Sequence, residues 1–243
     1  MVRRAVLLDG AWLIAAFFCV IECRAGSDRQ REIYDSMRSR YEEIRDYQCR
    51  ILEWCTDGSR VEERIINFYF KKPRLIRMDI LHGNRPFDSG SVAVYLGSGK
   101  VTGHRGGLLK GIVLNVQKTS ALATTIRGVA IDESDMETVL MEIPFYFQNG
   151  RISMTERDTV YEFECVPFDV SKNDRISKDV LRVDKRSLFV VYNARFSGES
   201  AVQRVEWSDY IIDAGLPDEL FDIDFDVGEL EKRGIPLIRQ TVD

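Results

Sequence analysis

Two histidines, six prolines and no excess of basic charge are all this 243-residue chain offers where several functional classes need more. His82 and His104 have no Cys, Asp or Glu partners at metal-ligand spacing, so both read as solvated loop histidines and no metal site is expected. The patterns GxSxG, HExxH, CxxC and the P-loop are missing. Gly97, Gly99 and Gly103 lie in a hairpin-like stretch, not in the strand-to-helix turn of a dinucleotide site, so no cofactor is expected. Carboxylates are many but scattered, and no nucleophile, base and orienter come together, which argues against an enzyme. The formal charge of −5 argues against nucleic acid as a partner.

What is present begins with a leader. Arg3 and Arg4 precede the apolar run Ala11 to Ile21, and Cys23-Arg24-Ala25 supplies small residues at −3 and −1 of a cleavage site. Eleven apolar residues span roughly 16 Å as a helix, short of the ~30 Å hydrocarbon core, so a cleaved signal peptide over 1–25 is expected rather than an anchor. Residues 26–243 then form one domain, with its core over 28–225 and a C-terminal tail over 226–243.

Ser27 to Ile44 reads as an amphipathic helix. Ser27 and Gln30 form a capping box, and Ile33, Met37, Tyr41 and Ile44 make one stripe. The next stretch, Asp46 to Phe70, reads as a hairpin turning at Gly58-Ser59. Pairing Asp57 with Arg60 sets Tyr47 opposite Phe70, Cys49 opposite Phe68, Ile51 opposite Ile66 and Glu53 opposite Arg64. The other face, with Gln48, Arg50, Asn67 and Tyr69, is mixed. Ile76, Met78 and Ile80 alternate on a third strand, and Val92 to Leu96 with Lys100 to His104 form a further hairpin. Residues 105–131 give no clear signal beyond a glycine-rich loop that becomes partly extended. A second helix is expected from Ser134, capped with Glu137 and ended or kinked by Pro144, with Met136, Val139, Leu140 and Ile143 on one face.

Strands then return. Tyr161, Phe163 and Cys165 alternate with acids. Leu181 and Val183 lead through a turn to Leu188, Val190 and Tyr192, and a turn at Ser197-Gly198 brings Val205 and Trp207 opposite Tyr192 and Val190. This meander predicts a mainly β, α+β fold with an up-and-down antiparallel sheet, partly closed. Cys49, Cys55 and Cys165 remain after the leader. Cys49 and Cys55 would stand roughly 20 Å apart on one strand, too far to bridge. Cys49 and Cys165 either form a disulfide or pack as small hydrophobes, and the sequence leaves both open.

The order of leader, helix, strands, capped helix and strands carries the run Phe70-Lys71-Lys72-Pro73-Arg74-Leu75 between the second and third strands. With the late run from Val180 to Phe221, this resembles the LolA/LolB-like family of periplasmic lipoprotein carriers over residues 28–225. The resemblance implies an unclosed antiparallel barrel of about eleven strands, a half-barrel lidded by helices. It also implies a periplasmic, monomeric carrier of lipid or lipoprotein acyl chains that exchanges with envelope membrane proteins as donor and acceptor. The carrier has an Arg before the turn proline; Lys72 matches it in charge but lacks the planar fork. On this resemblance the apolar face becomes a candidate cavity. Tyr47, Ile51, Ile66, Phe68 and Phe70 come from the first hairpin, and Ile76, Met78 and Ile80 from the third strand. Tyr161, Phe163, Leu181 and Tyr192 come from the later strands, and Met136 and Leu140 from the lid. A core filled by its own side chains explains the same pattern. It would make the protein an interaction module that docks an envelope partner.

Overall fold

The computed structural model describes residues 28–172 and 175–238. The leader and the Ser27 cap lie outside them.

Helix α1 covers residues 28–43, and its stripe of Ile33, Met37 and Tyr41 is buried, followed by Ile44. Strands β1 (Asp46–Thr56) and β2 (Val61–Lys71) pair in the register expected, from Tyr47 opposite Phe70 to Trp54 opposite Glu63. The turn is locked by Asp57. Its carboxylate accepts from the Ser59 and Arg60 backbone and from the Arg60 guanidinium, and these bonds hold its carboxyl well below the usual range. Gly58, at φ +93, takes the left-handed position that the turn needs.

Strands β3 (Leu75–Gly83), β4 (Ser91–Tyr95), β5 (Lys100–His104) and β6 (Val113–Gln117) continue the meander to one edge. Helix α2 (Met136–Asn149) then carries the chain to the other edge. There β7 (Gly150–Glu156), β8 (Val160–Pro167), β9 (Lys178–Asp184), β10 (Val190–Ser197) and β11 (Ser200–Ile212) return to pair with β1. The result is one eleven-stranded antiparallel sheet in the order β6-β5-β4-β3-β2-β1-β11-β10-β9-β8-β7, open between β6 and β7. The link between the edge strands puts α2 over the concave face, where it serves as a lid.

Several expectations need correction. Helix α2 is capped by Asp135, whose side chain accepts from the Thr138 N–H at 2.8 Å, not by Ser134. Pro144 does not end it. The proline removes the N–H that would reach the Leu140 carbonyl, and the Tyr34 hydroxyl of α1 donates to that oxygen instead, at 3.3 Å. The tight link at Gly150, which caps α2 and opens β7, hid β7 from the sequence pattern.

Bulges between Val190 and Tyr192 and between Arg195 and Phe196 shift parity on β10, and the second sets Asn193, not Tyr192, opposite Val205. Tyr192 therefore faces outward, with the Arg182 guanidinium 4.5 Å from its ring centroid. His104 is buried at the end of β5, and His82 is exposed on strand β3; neither is a solvated loop residue. Cys49, Cys55 and Cys165 are all free and buried. Cys49 on β1 and Cys165 on β8 are four strand places apart. At ~4.8 Å per strand that is beyond any bridge.

The mixed outer face of the hairpin is covered by residues 213–238. Leu216, Leu220, Phe221 and Leu230 form a second core with Tyr69 and Val94. Buried polar groups on this face find backbone partners in the same strap. Arg77 donates to the carbonyls of Leu220 and Asp222, Lys71 to that of Leu216, and Gln48 to that of Pro236. From the C-terminal tail, Leu230 is buried in this second core, and Val227, Ile235 and Leu237 pack against it.

Candidate ligand-binding cleft

The concave face is divided in two. One part of it is filled. Tyr47 stacks on Phe70 with ring centroids 5.0 Å apart and meets Phe189 edge-on at 5.7 Å, and its hydroxyl accepts the Met136 N–H. Tyr47, Phe68, Phe70 and Ile76 are at most 1% exposed and belong to the packed core. Tyr161, Phe163 and Leu181 are packed into the same core, as are Met136 and Leu140 from α2.

The rest of the face is open, partly beneath α2. The floor is Met78 and Ile80 of β3, Ala93 of β4, Val101 of β5 and Leu114 and Val116 of β6. The roof is Leu122, Ala123, Val129, Ala130 and Ile131, from the segment between β6 and α2. Between them lies a cleft of about 780 Å³, part of it open to solvent. Met78, Val129 and Ser134 also line a second opening of about 700 Å³, which Ile51 and Ile66 share with Val205 and Trp207. A third, of about 630 Å³, follows between Arg127, Phe145, Tyr146 and Ile176. Shared walls at Val129, Glu142, Arg195 and Gln203 join the last two. The three adjoin one another in a row, a passage divided by these shared walls, beneath the roof and α2. Of the expected cavity residues, Ile51, Ile66, Met78 and Ile80 line it.

The roof residues were missed by sequence reasoning. The roof has no helical or strand period, so nothing marked it. Leu114 and Val116 do alternate, and that signal could have placed β6.

Charge in the passage is paired. Arg64 lies between Glu53 and Glu62, with Nε 2.8 Å from Glu53 and 3.3 Å from Glu62. Burial works against its charge, but the two carboxylates raise its pKa. Arg85 bridges Glu62 and Asp88, and Arg105 reaches Asp88 at 3.0 Å. At the other end Arg195 pairs with Glu142 and lies 3.4 Å from Asp179.

Burial pushes the Asp179 carboxyl up to about 6, against the attraction of Arg195. The folded state therefore binds a proton more tightly than the unfolded chain, whose aspartates titrate at about 3.9. Asp179 favours the fold most below pH ~4, and that contribution is lost as pH rises to about 6. Asp179→Asn removes this dependence. Its melting temperature relative to wild type is expected to rise between pH 4 and pH 7, in scanning calorimetry. A difference that is flat or falls with pH contradicts this assignment.

Lys72 does not face the cleft. Its ammonium donates to the carbonyls of Tyr41 and Glu42 at 2.5 and 3.0 Å, closing the C-terminal end of α1. Arg74 reaches the Asp132 carbonyl and Thr138 at the start of α2. The basic turn thus ties both helices to the sheet.

The fold and site define an open, helix-lidded half-barrel whose cleft has an apolar floor and roof flanked by paired charges. No family model matches the chain, and no curated protein matches it. Among solved structures it is similar to a DUF1329 family protein from Desulfovibrio piger, at 16% identity over 82% of this chain and 96% of that one, with a TM-score of 0.42. It is also similar to a putative outer membrane lipoprotein-sorting protein domain from Vibrio parahaemolyticus, at 13% identity over 79% and 95%, TM-score 0.42. A third is a LolA superfamily protein from Nitrosomonas europaea, at 11% identity over 78% and 97%, TM-score 0.37.

Proposed function

We propose that this chain is a non-catalytic, periplasmic binder and carrier of acyl chains, with a lipoprotein or another lipid as ligand. The observation that carries this is the cleft under residues 118–135, whose floor and roof are apolar and which the protein's own side chains leave open. Its mouth is apolar too. Leu114 and Leu122 on the cleft wall are 39% and 59% exposed. Such a rim favours an acyl chain passing between a membrane or a donor protein and the cleft.

N-phenyl-1-naphthylamine, a neutral apolar dye, should bind the mature chain saturably and be displaced by monodecanoylglycerol. A dye signal that no acyl compound displaces would count against the reading. Export follows from the same proposal: N-terminal sequencing of mature protein is expected to begin at Gly26 or within a few residues. Met1 retained in a membrane fraction would contradict it.

A second reading rests on β6. Val113 and Leu114 are exposed on a strand that has no partner on its outer side among the described residues. A protein partner that adds a strand there would make the half-barrel a docking module. Lipid binding separates the two.

A further inference from the structure

The sheet has two outer strands, β6 and β7, and they differ in kind. β7 carries Arg151 near its start and Glu156 at its end, charges of the sort that keep an edge strand from pairing. β6 reads Val113-Leu114-Asn115-Val116-Gln117, without charge, proline or glycine, and its register with β5 has no bulge. All of it except Val116 is exposed.

The direction of its backbone groups follows from that register. The Lys118 N–H donates to the Gly99 carbonyl at 3.0 Å, and Gly99 with Lys118 continues the pairing of Lys100 with Gln117. Hydrogen-bonded pairs alternate along an antiparallel ladder, so Val116 and Leu114 bond to β5 through Val101 and Gly103. Val113, Asn115 and Gln117 therefore turn their N–H and C=O groups away from the sheet, where β6 has no strand among the described residues. The Gln117 carbonyl accepts the Ser120 N–H at 2.9 Å and keeps a second lone pair.

This edge is complementary to itself. Two copies laid antiparallel about a two-fold axis at Asn115 set that residue opposite its own counterpart, Val113 opposite Gln117 and Leu114 opposite Val116. The outward backbone groups of Asn115 then bond to those of the other Asn115, and the groups of Val113 to those of Gln117. Leu114 and Val116 both line the cleft, so apolar meets apolar on the concave side. Past the strand ends the same register puts Lys118 opposite Ile112 and Lys110 opposite Ser120, so no like charges meet. An axis at Val113 or Gln117 would leave half of the strand unpaired.

We propose that β6 is a homodimer edge, to which a second copy of this chain adds its own β6, antiparallel and centred on Asn115. Pairing two copies of one edge closes the assembly, whereas β6 against β7 would run on as an open filament. A second copy is then the partner in the docking reading of β6, on which this rests, whether or not the cleft takes a lipid. A dimer departs from the monomer that the family resemblance implies. One strand pair buries little surface, below the ~1,200 Å² where standard specific interfaces begin, so the dimer is weak.

The test is sedimentation equilibrium of the mature chain from about 1 μM to 1 mM, the range in which weak complexes form. The average mass is expected to climb from one chain towards two and to stop there. A monomer at every concentration overturns the inference and leaves the docking reading of β6 to a different protein. Growth past two chains overturns it as well. Asn115→Lys and Asn115→Asp then test the register. The Asn115 side chain is exposed and donates to the Thr102 hydroxyl at 3.3 Å, so both variants should fold. Each alone is expected to dimerise at least about tenfold more weakly, because like charges face each other across the axis. An equal mixture of the two should associate at least as tightly as wild type, since residue 115 faces only itself. A mixture no tighter than its components overturns the register. Amide exchange of wild type needs no variant: protection at Val113, Asn115 and Gln117 should rise with concentration, while that at Leu114 and Val116 stays constant. Exchange at Val113, Asn115 and Gln117 that does not change with concentration overturns the proposal.

Discussion

Phe68→Glu is expected to abolish folding. Phe68 sits mid-strand on β2, fully buried, between Cys49 on β1 and Met78 on β3, with its ring centroid 5.9 Å from that of Tyr47. A carboxylate there has no cation and no water to face. Burying an unpaired charge costs several kcal/mol or more, of the order of a domain's whole stability, roughly 5–15 kcal/mol. Circular dichroism of the variant should show no cooperative thermal transition at neutral pH. A variant that melts within a few degrees of wild type would mean that the concavity is wet around Phe68 as well, and the division of the concave face would be wrong.

Val116→Trp is expected to do the opposite: keep the fold and lose the ligand. Val116 is half-buried on the edge strand β6, and its side chain forms part of the cleft floor. An edge strand bordering open space can take a larger side chain without forcing neighbouring strands apart, so the change in stability should stay within about 1 kcal/mol. The indole would occupy the space that an acyl chain needs. Dye affinity is expected to fall by more than tenfold while the melting temperature moves by a few degrees at most. Unchanged dye binding in a folded variant would remove this cleft as the ligand site. The two substitutions form a pair because both lie on the concave face, one in its filled half and one in its open half.

Much of the frame was legible in the residues. One register through Asp57 and Arg60 set every cross-strand pair of the first hairpin, because a one-residue slip would have turned Tyr47, Ile51, Phe68 and Phe70 to the other face. Local rules failed where distant partners overrode them. Pro144 reads as a helix end until Tyr34, far away in sequence, donates to the Leu140 carbonyl that the proline orphans. Tyr192 reads as inward by simple alternation, and one bulge reverses it. The mixed face of β1 and β2 carries no sign of what covers it, and a C-terminal strap does so, binding Gln48 and Arg77 through its backbone.

The site was less legible than the fold for the same reason. Alternation shows which side chains share the concave face, and Ile51, Ile66, Met78 and Ile80 do line the passage. It cannot show which part of that face the helices fill. That depends on where α1 and α2 rest, and the anchors are long-range: Lys72 on the end of α1, and Arg74 and the Tyr47 hydroxyl at the start of α2. The roof over the open half, Leu122 to Ile131, carries no period at all.

Native mass spectrometry of the mature chain, purified without detergent from the envelope of cells that make it, tests the central claim most directly. The account predicts a second mass series heavier than the bare chain by one acylated molecule, lost on mild activation, and absent from Val116→Trp prepared in the same way. A wild-type protein that carries only its own mass, with no acyl compound in its organic extract, would contradict it.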